Sequence, residues 1–383
     1  MNQLLLMFLA AFAVSVICTP LAIRLAPKIG AVDVPKDARR MHTKPMPRFG
    51  GMAIFLGTMS VIMLFLPKDS QLWGVILSST LMYLVGVVDD LRGIPAKVKL
   101  LGQIICATIL YVFSIRISMM GNPFPVGPDV FRFPIVISYL ATVVWVVGVT
   151  NAVNLIDGLD GLAAGVCTIA SLSIAYTAYL HGRMSTCAIM SALAGACLGF
   201  LIFNFNPAKI FMGDSGSLYL GYMLASVSLL GDKPLKSTTI LATLVPICVL
   251  ALPLFDTAFA ILRRLLTHRP IMEADRGHLH HRVMAIGWGQ RRTVLILYCI
   301  SGVMGVAAIL FSLDMFLETV ALMVIAATLV FIFLDNDIVE NSDLVTHGPR
   351  LLGDWPLGKK NEVTKAAEKR AVIKEDKEGK GRR

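Results

Sequence analysis

Long apolar runs separated by short polar segments make up most of the first 335 residues. A run of about 20 apolar residues has the length that spans the hydrocarbon core of a bilayer. The pattern therefore predicts an all-α, polytopic integral membrane protein with about eleven transmembrane helices. The predicted spans are Leu4–Ala26, Gly51–Leu66, Leu72–Val88, Leu100–Ile115, Phe133–Val149, Leu162–Leu180, Cys187–Phe203, Leu218–Leu230, Ile240–Leu262, Val294–Leu313 and Met315–Leu334.

Composition supports the membrane assignment. Hydrophobic residues are 56% of the 383, and the mean hydropathy is +0.72, more than a soluble core of this size needs. No basic segment precedes the first apolar run, so this run is predicted to remain as a helix and not to be removed as a secretory signal. The seven cysteines lie in or beside apolar spans without a Cys-x-x-Cys pair, which favours packing roles over disulfides or zinc.

Basic residues are concentrated in one alternating set of loops. Loops 27–50, 89–99, 150–161, 204–217 and 263–293 carry 17 Lys and Arg residues, against about 6 in the opposite loops. Because Lys and Arg are retained in the cytoplasm, these loops are predicted to be cytoplasmic, with the N-terminus outside and the C-terminus inside. The net charge of +10 then reflects topology and the anionic inner leaflet, and it is not evidence for nucleic acid.

The composition changes near residue 336, where Lys, Glu, Asp and Gly replace large apolar residues. We therefore predict two parts, a transmembrane domain over residues 1–335 and a charged cytoplasmic tail over residues 336–383. The tail lacks the apolar content to form a core, and we expect it to be mobile and dispensable for chemistry.

Four polar clusters interrupt the apolar chain, and all four fall in the loops predicted to be cytoplasmic. Carboxylates, carboxamides and imidazoles gathered at one face beside Lys and Arg suit a metal-dependent reaction on a phosphorylated substrate. The active site is therefore expected on the cytoplasmic face. The clusters are Asp89-Asp90, Asn151-x-x-Asn154-x-x-Asp157-x-x-Asp160, Gly213-Asp214-Ser215-Gly216-Ser217 and His278-Leu279-His280-His281-Arg282.

The second cluster carries the strongest chemical signal. Its Asn and Asp residues recur every three positions, so three of them can share one helix face. Hard oxygen ligands suit Mg²⁺ or Mn²⁺, and the spacing does not match a calcium-binding EF-hand loop. The repeated Asp-Gly-Leu is also compatible with turn chemistry. However, so many amides and acids between two membrane spans are energetically unfavourable, which favours a functional role for this cluster.

The third and fourth clusters suit anions. The glycines of residues 213–217 let backbone N–H groups approach an anion, and Ser215 or Ser217 can cap the following helix. The histidines of the fourth cluster lie between Arg276 and Arg282, which suits phosphate oxygens better than a zinc ion. The alternative for this loop is binding to lipid headgroups.

In this order and in comparable loops, the four clusters resemble the successive motifs of the polyprenyl-phosphate N-acetylhexosamine-1-phosphate transferase family, glycosyltransferase family 4. The resemblance covers about residues 1–335. It implies transfer of a sugar 1-phosphate from a UDP-sugar donor to a membrane polyprenyl phosphate acceptor. It also implies Mg²⁺ as cofactor, with Mn²⁺ as a substitute, release of UMP, and a lipid pyrophosphate as product.

The resemblance also implies roles for individual residues. Asn154 and Asp214 would contact Mg²⁺, and Lys99 would meet the lipid phosphate. The ring of Phe211 would stack on uracil. Uracil would be held by Gly158, Leu159, Asp160 and Phe211, and the pyrophosphate or sugar by His278, His280, His281 and Arg282. The expected catalytic residues are Asp89, Asp90, Asp157, His280 and His281, and Asn151 and Arg276 are added to the expected substrate-binding residues.

The chemistry of the acceptor limits what Asp89 and Asp90 can do. An alkyl phosphate has a second pKa of about 6, so near neutral pH it is already mostly dianionic and a general base adds little. Positioning and charge neutralisation should carry most of the rate. We therefore expect Asp89 and Asp90 to organise Lys99, water and metal, with a base role for one of them as the alternative.

The histidine spacing bears on the sugar. Phospho-N-acetylmuramoyl-pentapeptide transferases resemble one another in three consecutive histidines, whereas Leu279 interrupts the series here. This form resembles family members that use UDP-N-acetylglucosamine. We therefore predict that donor, undecaprenyl phosphate as acceptor, and a role in starting cell-envelope polysaccharide such as lipopolysaccharide or teichoic acid at a bacterial inner membrane.

Other readings of the sequence stay open. One is the pentapeptide transferase itself. Another is an ion-coupled secondary transporter, whose ionisable groups would lie near the bilayer midplane. A membrane scaffold would explain the basic charge but not the Asn and Asp series. A homodimer is also an open alternative.

Overall fold

The computed structural model describes residues 2–34, 45–121, 130–230, 247, 254–255 and 289–340. The chain divides into two compact units, Met1–Asp335 and Asn336–Arg383. Of the second unit, residues 336–340 are described and form the end of a helix. The helices are α1 (Asn2–Ile29), α2 (Gly51–Phe65), α3 (Ser70–Arg92), α4 (Ala96–Val112), α5 (Ile135–Ile156), α6 (Leu162–Leu180), α7 (Met184–Asn204), α8 (Gly213–Ser228), α9 (Gln290–Ser312) and α10 (Phe316–Glu340).

The helices confirm the prediction of an all-α, polytopic membrane protein. Within the described ranges, six helices are long and apolar enough to cross a membrane, namely α1, α3, α5, α6, α7 and α9. Helix α2 and residues 316–329 of α10 are apolar but shorter. Each predicted span except one coincides with a helix. The exception, Ile240–Leu262, lies outside the described residues.

Helices α3, α4, α5 and α8 extend beyond the predicted apolar runs at the ends that carry polar residues. Asp89 and Asp90, which were expected at a helix end, lie in the last turns of α3. Asn154 lies within α5, and Lys99 lies in the first turn of α4. A helix satisfies its own backbone hydrogen bonds whatever the polarity of its side chains, so an apolar run marks only its lipid-facing or buried part. The polar residues therefore stand on rigid helix ends.

Helix α8 lies at the centre of the bundle. Every one of its residues except Asp214 is buried, as expected for a helix that is enclosed on all sides. It packs against α2, α3, α5, α6 and α7. A glycine permits a close approach to α3, because a Cβ added at Gly86 of α3 would lie 2.5 Å from the backbone oxygen of Asp214. The start of α8 is therefore set tightly against the end of α3.

Two short antiparallel strand pairs, which the sequence did not predict, accompany the helices. Strand β1 (Val32–Asp33) pairs with β2 (Met46–Pro47), and β3 (Met119–Gly121) pairs with β4 (Val130–Arg132). The chain after β2 also lies along the segment before α8. Phe211 donates its N–H to the carbonyl of Pro47 at 2.8 Å, and Gly51 donates to Met212 at 2.9 Å. This pairing fixes the backbone on either side of Arg48.

Candidate active site

A carboxylate from α3 holds the start of α8. Asp90 accepts hydrogen bonds from the backbone N–H groups of Asp214 at 2.8 Å and Ser215 at 2.9 Å. The first N–H groups of a helix have no partner inside the helix, and negative charge near them is favourable. The Asp90 side chain is 0% exposed. Asp90 therefore caps α8 from a different helix.

Gly213 makes this cap sterically feasible. Its φ is +75°, a left-handed conformation that favours glycine. A Cβ at this position would also lie 2.5 Å from Oδ2 of Asp90. The Gly-Asp-Ser-Gly-Ser segment starts a helix as predicted, and its glycine admits the carboxylate of Asp90. The cap expected from Ser215 or Ser217 is not formed, since the Ser217 hydroxyl donates to the Gly213 carbonyl.

Asp214 projects from the first turn of α8 into a group of polar and charged side chains. Its Oδ1 accepts a hydrogen bond from Asn154 Nδ2 at 2.9 Å and lies 3.1 Å from Arg48 Nη2. Its Oδ2 lies 2.9 Å from Lys99 Nζ. The carboxylate thus has a cation beside each oxygen. We call Arg48, Asp89, Asp90, Lys99, Asn154 and Asp214 the Asp214 cluster.

Lys99 connects Asp214 to the end of α3. Its Nζ lies 2.5 Å from Oδ2 of Asp89, and the other oxygen of Asp89 accepts a hydrogen bond from the N–H of Ile94 at 2.8 Å. One ammonium group between two carboxylates relieves the repulsion between them. The Lys99 side chain is 19% exposed, so a small part of it reaches the protein surface.

Arg48 is the member of the Asp214 cluster that the sequence did not predict. Its Nε lies 3.1 Å from Oδ1 of Asp90, and its Nη2 bridges to Asp214. Burial opposes the charge of Arg48, but the carboxylates of Asp214 and Asp90 outweigh burial and raise its pKa. The available signal was a basic residue just before the Gly50-Gly51 pair that opens an apolar run.

The end of α5 supplies two further groups. Asn154 donates to Ser217 Oγ at 2.8 Å as well as to Asp214, so it ties α5 to the first turns of α8. Asp157 is the C-cap residue of α5, directly after the last helical residue. Burial, reinforced by the negative charge of Asp214, raises the pKa of Asp157 to about 7. Asp157 therefore lies close enough to the Asp214 cluster to be affected by its charge.

Asn151 and Asp160 are engaged elsewhere. The amide of Asn151 pairs with that of Gln103, at 3.0 and 2.8 Å, and also donates to the carbonyl of Val147 at 2.9 Å. Oδ2 of Asp160 accepts hydrogen bonds from Asn206 Nδ2 at 2.9 Å and from the N–H of Ala208 at 3.1 Å. Both residues, predicted to bind substrate, thus make structural contacts.

The remaining predicted residues are placed as follows. Gly158 is exposed, whereas the Leu159 side chain is buried in the apolar core, so only its backbone can face a ligand. Phe211 is partly exposed and leads directly into the start of α8. The predicted residues of the last basic loop lie outside the described residues: Arg276, His278, His280, His281 and Arg282.

The cluster fits a divalent cation in charge and donor chemistry. In the described part of the chain, no group of three or more His, Cys, Asp or Glu side chains is arranged to hold a metal by itself. Two cations and three carboxylates nevertheless leave the Asp214 cluster with one net negative charge. Mg²⁺ is commonly bound by one or two carboxylates, water and substrate phosphates, which is compatible with this donor set.

Comparison with known proteins places the chain among membrane sugar-phosphate transferases. Residues 72–232 match the model of glycosyl transferase family 4. A probable undecaprenyl-phosphate N-acetylglucosaminyl 1-phosphate transferase of Bacillus subtilis is 38% identical over 311 residues, which cover 81% of this chain and 85% of the relative. A decaprenyl-phosphate N-acetylglucosaminephosphotransferase of Mycolicibacterium smegmatis is 34% identical over 334 residues, 80% and 82% of the two chains. A phospho-N-acetylmuramoyl-pentapeptide-transferase of Shouchella clausii is 31% identical over 326 residues, 80% and 96%.

Proposed function

The chain belongs to glycosyl transferase family 4, and we propose that it transfers N-acetylglucosamine 1-phosphate from UDP-N-acetylglucosamine to undecaprenyl phosphate. UMP leaves, and the lipid-linked pyrophosphate sugar starts the synthesis of a cell-envelope polysaccharide. The observation that carries the proposal is the Asp214 cluster, in which two cations flank one carboxylate at the start of a buried helix.

The reaction is a phosphoryl transfer between two anions. An oxygen of the lipid phosphate attacks the phosphorus that bears the sugar, and the bond from that phosphorus to the UMP oxygen breaks. Such a reaction needs positioning and charge neutralisation more than covalent help from the protein. Arg48 and Lys99 lie on opposite oxygens of Asp214, so they can neutralise phosphate groups on both sides of it.

The contacts of Asp89 and Asp90 support the role of organisers. Asp90 already accepts two backbone hydrogen bonds and an ion pair, and its side chain has no exposed surface. Asp89 holds Lys99 and the N–H of Ile94. A base is also little needed, because the second pKa of an alkyl phosphate is about 6. Both acids keep the cations in place.

Mg²⁺ is the cofactor we propose for this site. Asp214 and the side-chain oxygen of Asn154 would hold it, with Asp157 nearby, and it would neutralise charge on the donor pyrophosphate. The net negative charge of the Asp214 cluster and its oxygen donors support this assignment. Removal of the metal should therefore stop transfer.

The cluster forms at the end of α3, the end of α5 and the starts of α4 and α8, which all lie at one side of the bundle. We assign this side to the cytoplasm, because the loops that contain these helix ends belong to the set rich in Lys and Arg. UDP-sugars are made in the cytoplasm, so the donor would reach the site directly.

The donor assignment rests on the relatives and on the histidine pattern. The two relatives named for N-acetylglucosamine are 38% and 34% identical to this chain, against 31% for the pentapeptide transferase. The test supplies purified protein with undecaprenyl phosphate and measures UMP release from each donor at equal concentration. We expect release from UDP-N-acetylglucosamine. Preference for UDP-N-acetylmuramoyl-pentapeptide would overturn the donor, and no release from either would overturn the reaction.

A further inference from the structure

A buried amide side chain, that of Gln103, and a partly buried one, that of Asn151, join α4 to α5 near the Asp214 cluster. Gln103 Nε2 donates to Asn151 Oδ1 at 3.0 Å, and Asn151 Nδ2 donates back to Gln103 Oε1 at 2.8 Å. Gln103 is 1% exposed. Each amide of such a reciprocal pair binds the other in a defined geometry. The pairing is favoured because an unpaired amide here would leave buried polar atoms without hydrogen bonds.

The helix periodicity places this pair directly behind two members of the cluster. Gln103 lies four residues after Lys99 on α4, so the two side chains share one face of that helix. Asn151 lies three residues before Asn154 on α5, with the same consequence. Lys99 and Asn154 bind different oxygens of Asp214. The amide pair therefore sets the register of the two helices that hold Asp214 from two sides.

The hydrogen bonds of Asn151 argue against a substrate contact. One N–H of its amide donates to Gln103, and Nδ2 also donates to the carbonyl of Val147 at 2.9 Å. Its oxygen accepts from Gln103. Both donors of the side chain are thus used within the protein.

We propose that Gln103 and Asn151 are positioning residues, which hold Lys99 and Asn154 at the correct separation across Asp214 and do not touch the substrate. The consequence for catalysis rests on the proposed function. The geometric part does not, because it concerns where Lys99 lies in the protein without ligand.

A double-mutant cycle tests the proposal. Gln103→Met and Asn151→Leu replace each amide by an apolar side chain of similar shape, and the double variant replaces both. Asn151→Leu leaves the buried amide of Gln103 without its partner, and Gln103→Met leaves the partly buried amide of Asn151 with its Val147 contact alone. Removal of both partners is close to neutral. We expect each single variant to lower kcat by about 10-fold to 10²-fold with KM little changed, as a small misplacement does. We expect kcat of the double variant to be no lower than kcat of the less active single variant.

A matched control breaks a different hydrogen bond between the same two helices. Thr108 Oγ1 of α4 lies 3.0 Å from the hydroxyl of Tyr139 of α5, and both residues lie farther along their helices from the cluster. Tyr139→Phe should therefore leave kcat and KM unchanged. The double variant Gln103→Asn with Asn151→Gln exchanges the two amides and keeps a polar pair, so it should retain much of the wild-type activity. It replaces an apolar single variant in the comparison if that variant fails to insert.

A second measurement does not depend on turnover. The Lys99 amine lies between two carboxylates, so its labelling by an amine-reactive reagent, followed by mass spectrometry, reports its placement. Labelling should rise in each single variant and return towards the wild-type level in the double variant. If wild-type protein transfers no sugar phosphate, the proposed function fails, while the labelling cycle still decides the positioning role.

Two results would overturn the proposal. In the first, Asn151→Leu raises KM for the UDP-sugar at constant kcat and its effect multiplies with that of Gln103→Met, which indicates a direct substrate contact. In the second, Lys99 labelling and kcat are the same in all variants, which indicates that the pair only packs.

Discussion

Replacement of Asp90 by alanine should destabilise the protein as well as inactivate it. The change removes the acceptor for the N–H groups of Asp214 and Ser215 and a partner of Arg48. Each buried donor left unsatisfied costs about 1–3 kcal/mol, so the two together cost about 2–6 kcal/mol. Arg48 keeps its ion pair with Asp214 and is partly exposed, so loss of the Asp90–Arg48 ion pair adds little to this cost. The start of α8 should therefore loosen, and Asp214 with it.

A second helix cap in the same chain provides the control. Asp69 caps the other end of α3, accepts one hydrogen bond from the N–H of Leu72 at 2.7 Å, and is exposed. Asp69→Ala should cost about 1 kcal/mol, the usual value for one exposed cap, and should leave turnover unchanged.

Thermal unfolding in detergent and turnover should be measured on both variants. We expect a clearly lower melting temperature and little activity for Asp90→Ala, and near wild-type values for Asp69→Ala. If Asp90→Ala unfolds at the wild-type temperature and loses only activity, Asp90 acts on the substrate and not as the cap of α8.

Three further outcomes are expected. Arg48→Ala should lower turnover by about 10²-fold, on the scale of one lost electrostatic contact in the active site. Arg48→Lys keeps the charge and should retain part of the turnover. Equal activity in both variants and the wild type would remove Arg48 from the site. EDTA should abolish transfer and Mg²⁺ or Mn²⁺ should restore it, so activity that persists in EDTA would exclude a metal bound at Asp214. Lys68 and Lys97 lie near opposite ends of α3, and both are exposed. In intact cells, a membrane-impermeant thiol reagent should therefore label Lys68→Cys and not Lys97→Cys. The reverse pattern would show that the predicted topology is inverted.

The apolar pattern was sufficient to predict the helices but not where they end. Ser70–Arg92 includes the acidic pair that the apolar run excluded, and Ile135–Ile156 continues past its last long apolar stretch to include Asn154. Hydropathy reports which part of a helix meets lipid or core, whereas backbone hydrogen bonding lets the helix continue beyond it. The short strand pairs escaped prediction because two or three paired residues leave no periodic signal.

The site was predictable where its residues form local clusters. The acidic pair, the Asn and Asp series and the glycine-rich segment were each visible in sequence, and the structure brings Asp90, Asn154 and Asp214 into contact. Arg48 and Gln103 were not predicted, because their partners lie far away in the chain and a single polar residue outside a repeated pattern is a weak signal. Asn151 was visible as part of a series, but only the structure reveals that its amide is paired.

The most direct test follows the labelled phosphate. UDP-N-acetylglucosamine labelled with ³²P in its β-phosphate, incubated with purified protein, Mg²⁺ and undecaprenyl phosphate, should transfer the label into the lipid extract while unlabelled UMP is released. Asp214→Asn, in protein that still inserts and unfolds as the wild type does, should lower this transfer by about 10²-fold or more. Label that stays in water-soluble products with wild-type protein, or full transfer by Asp214→Asn, would contradict the account.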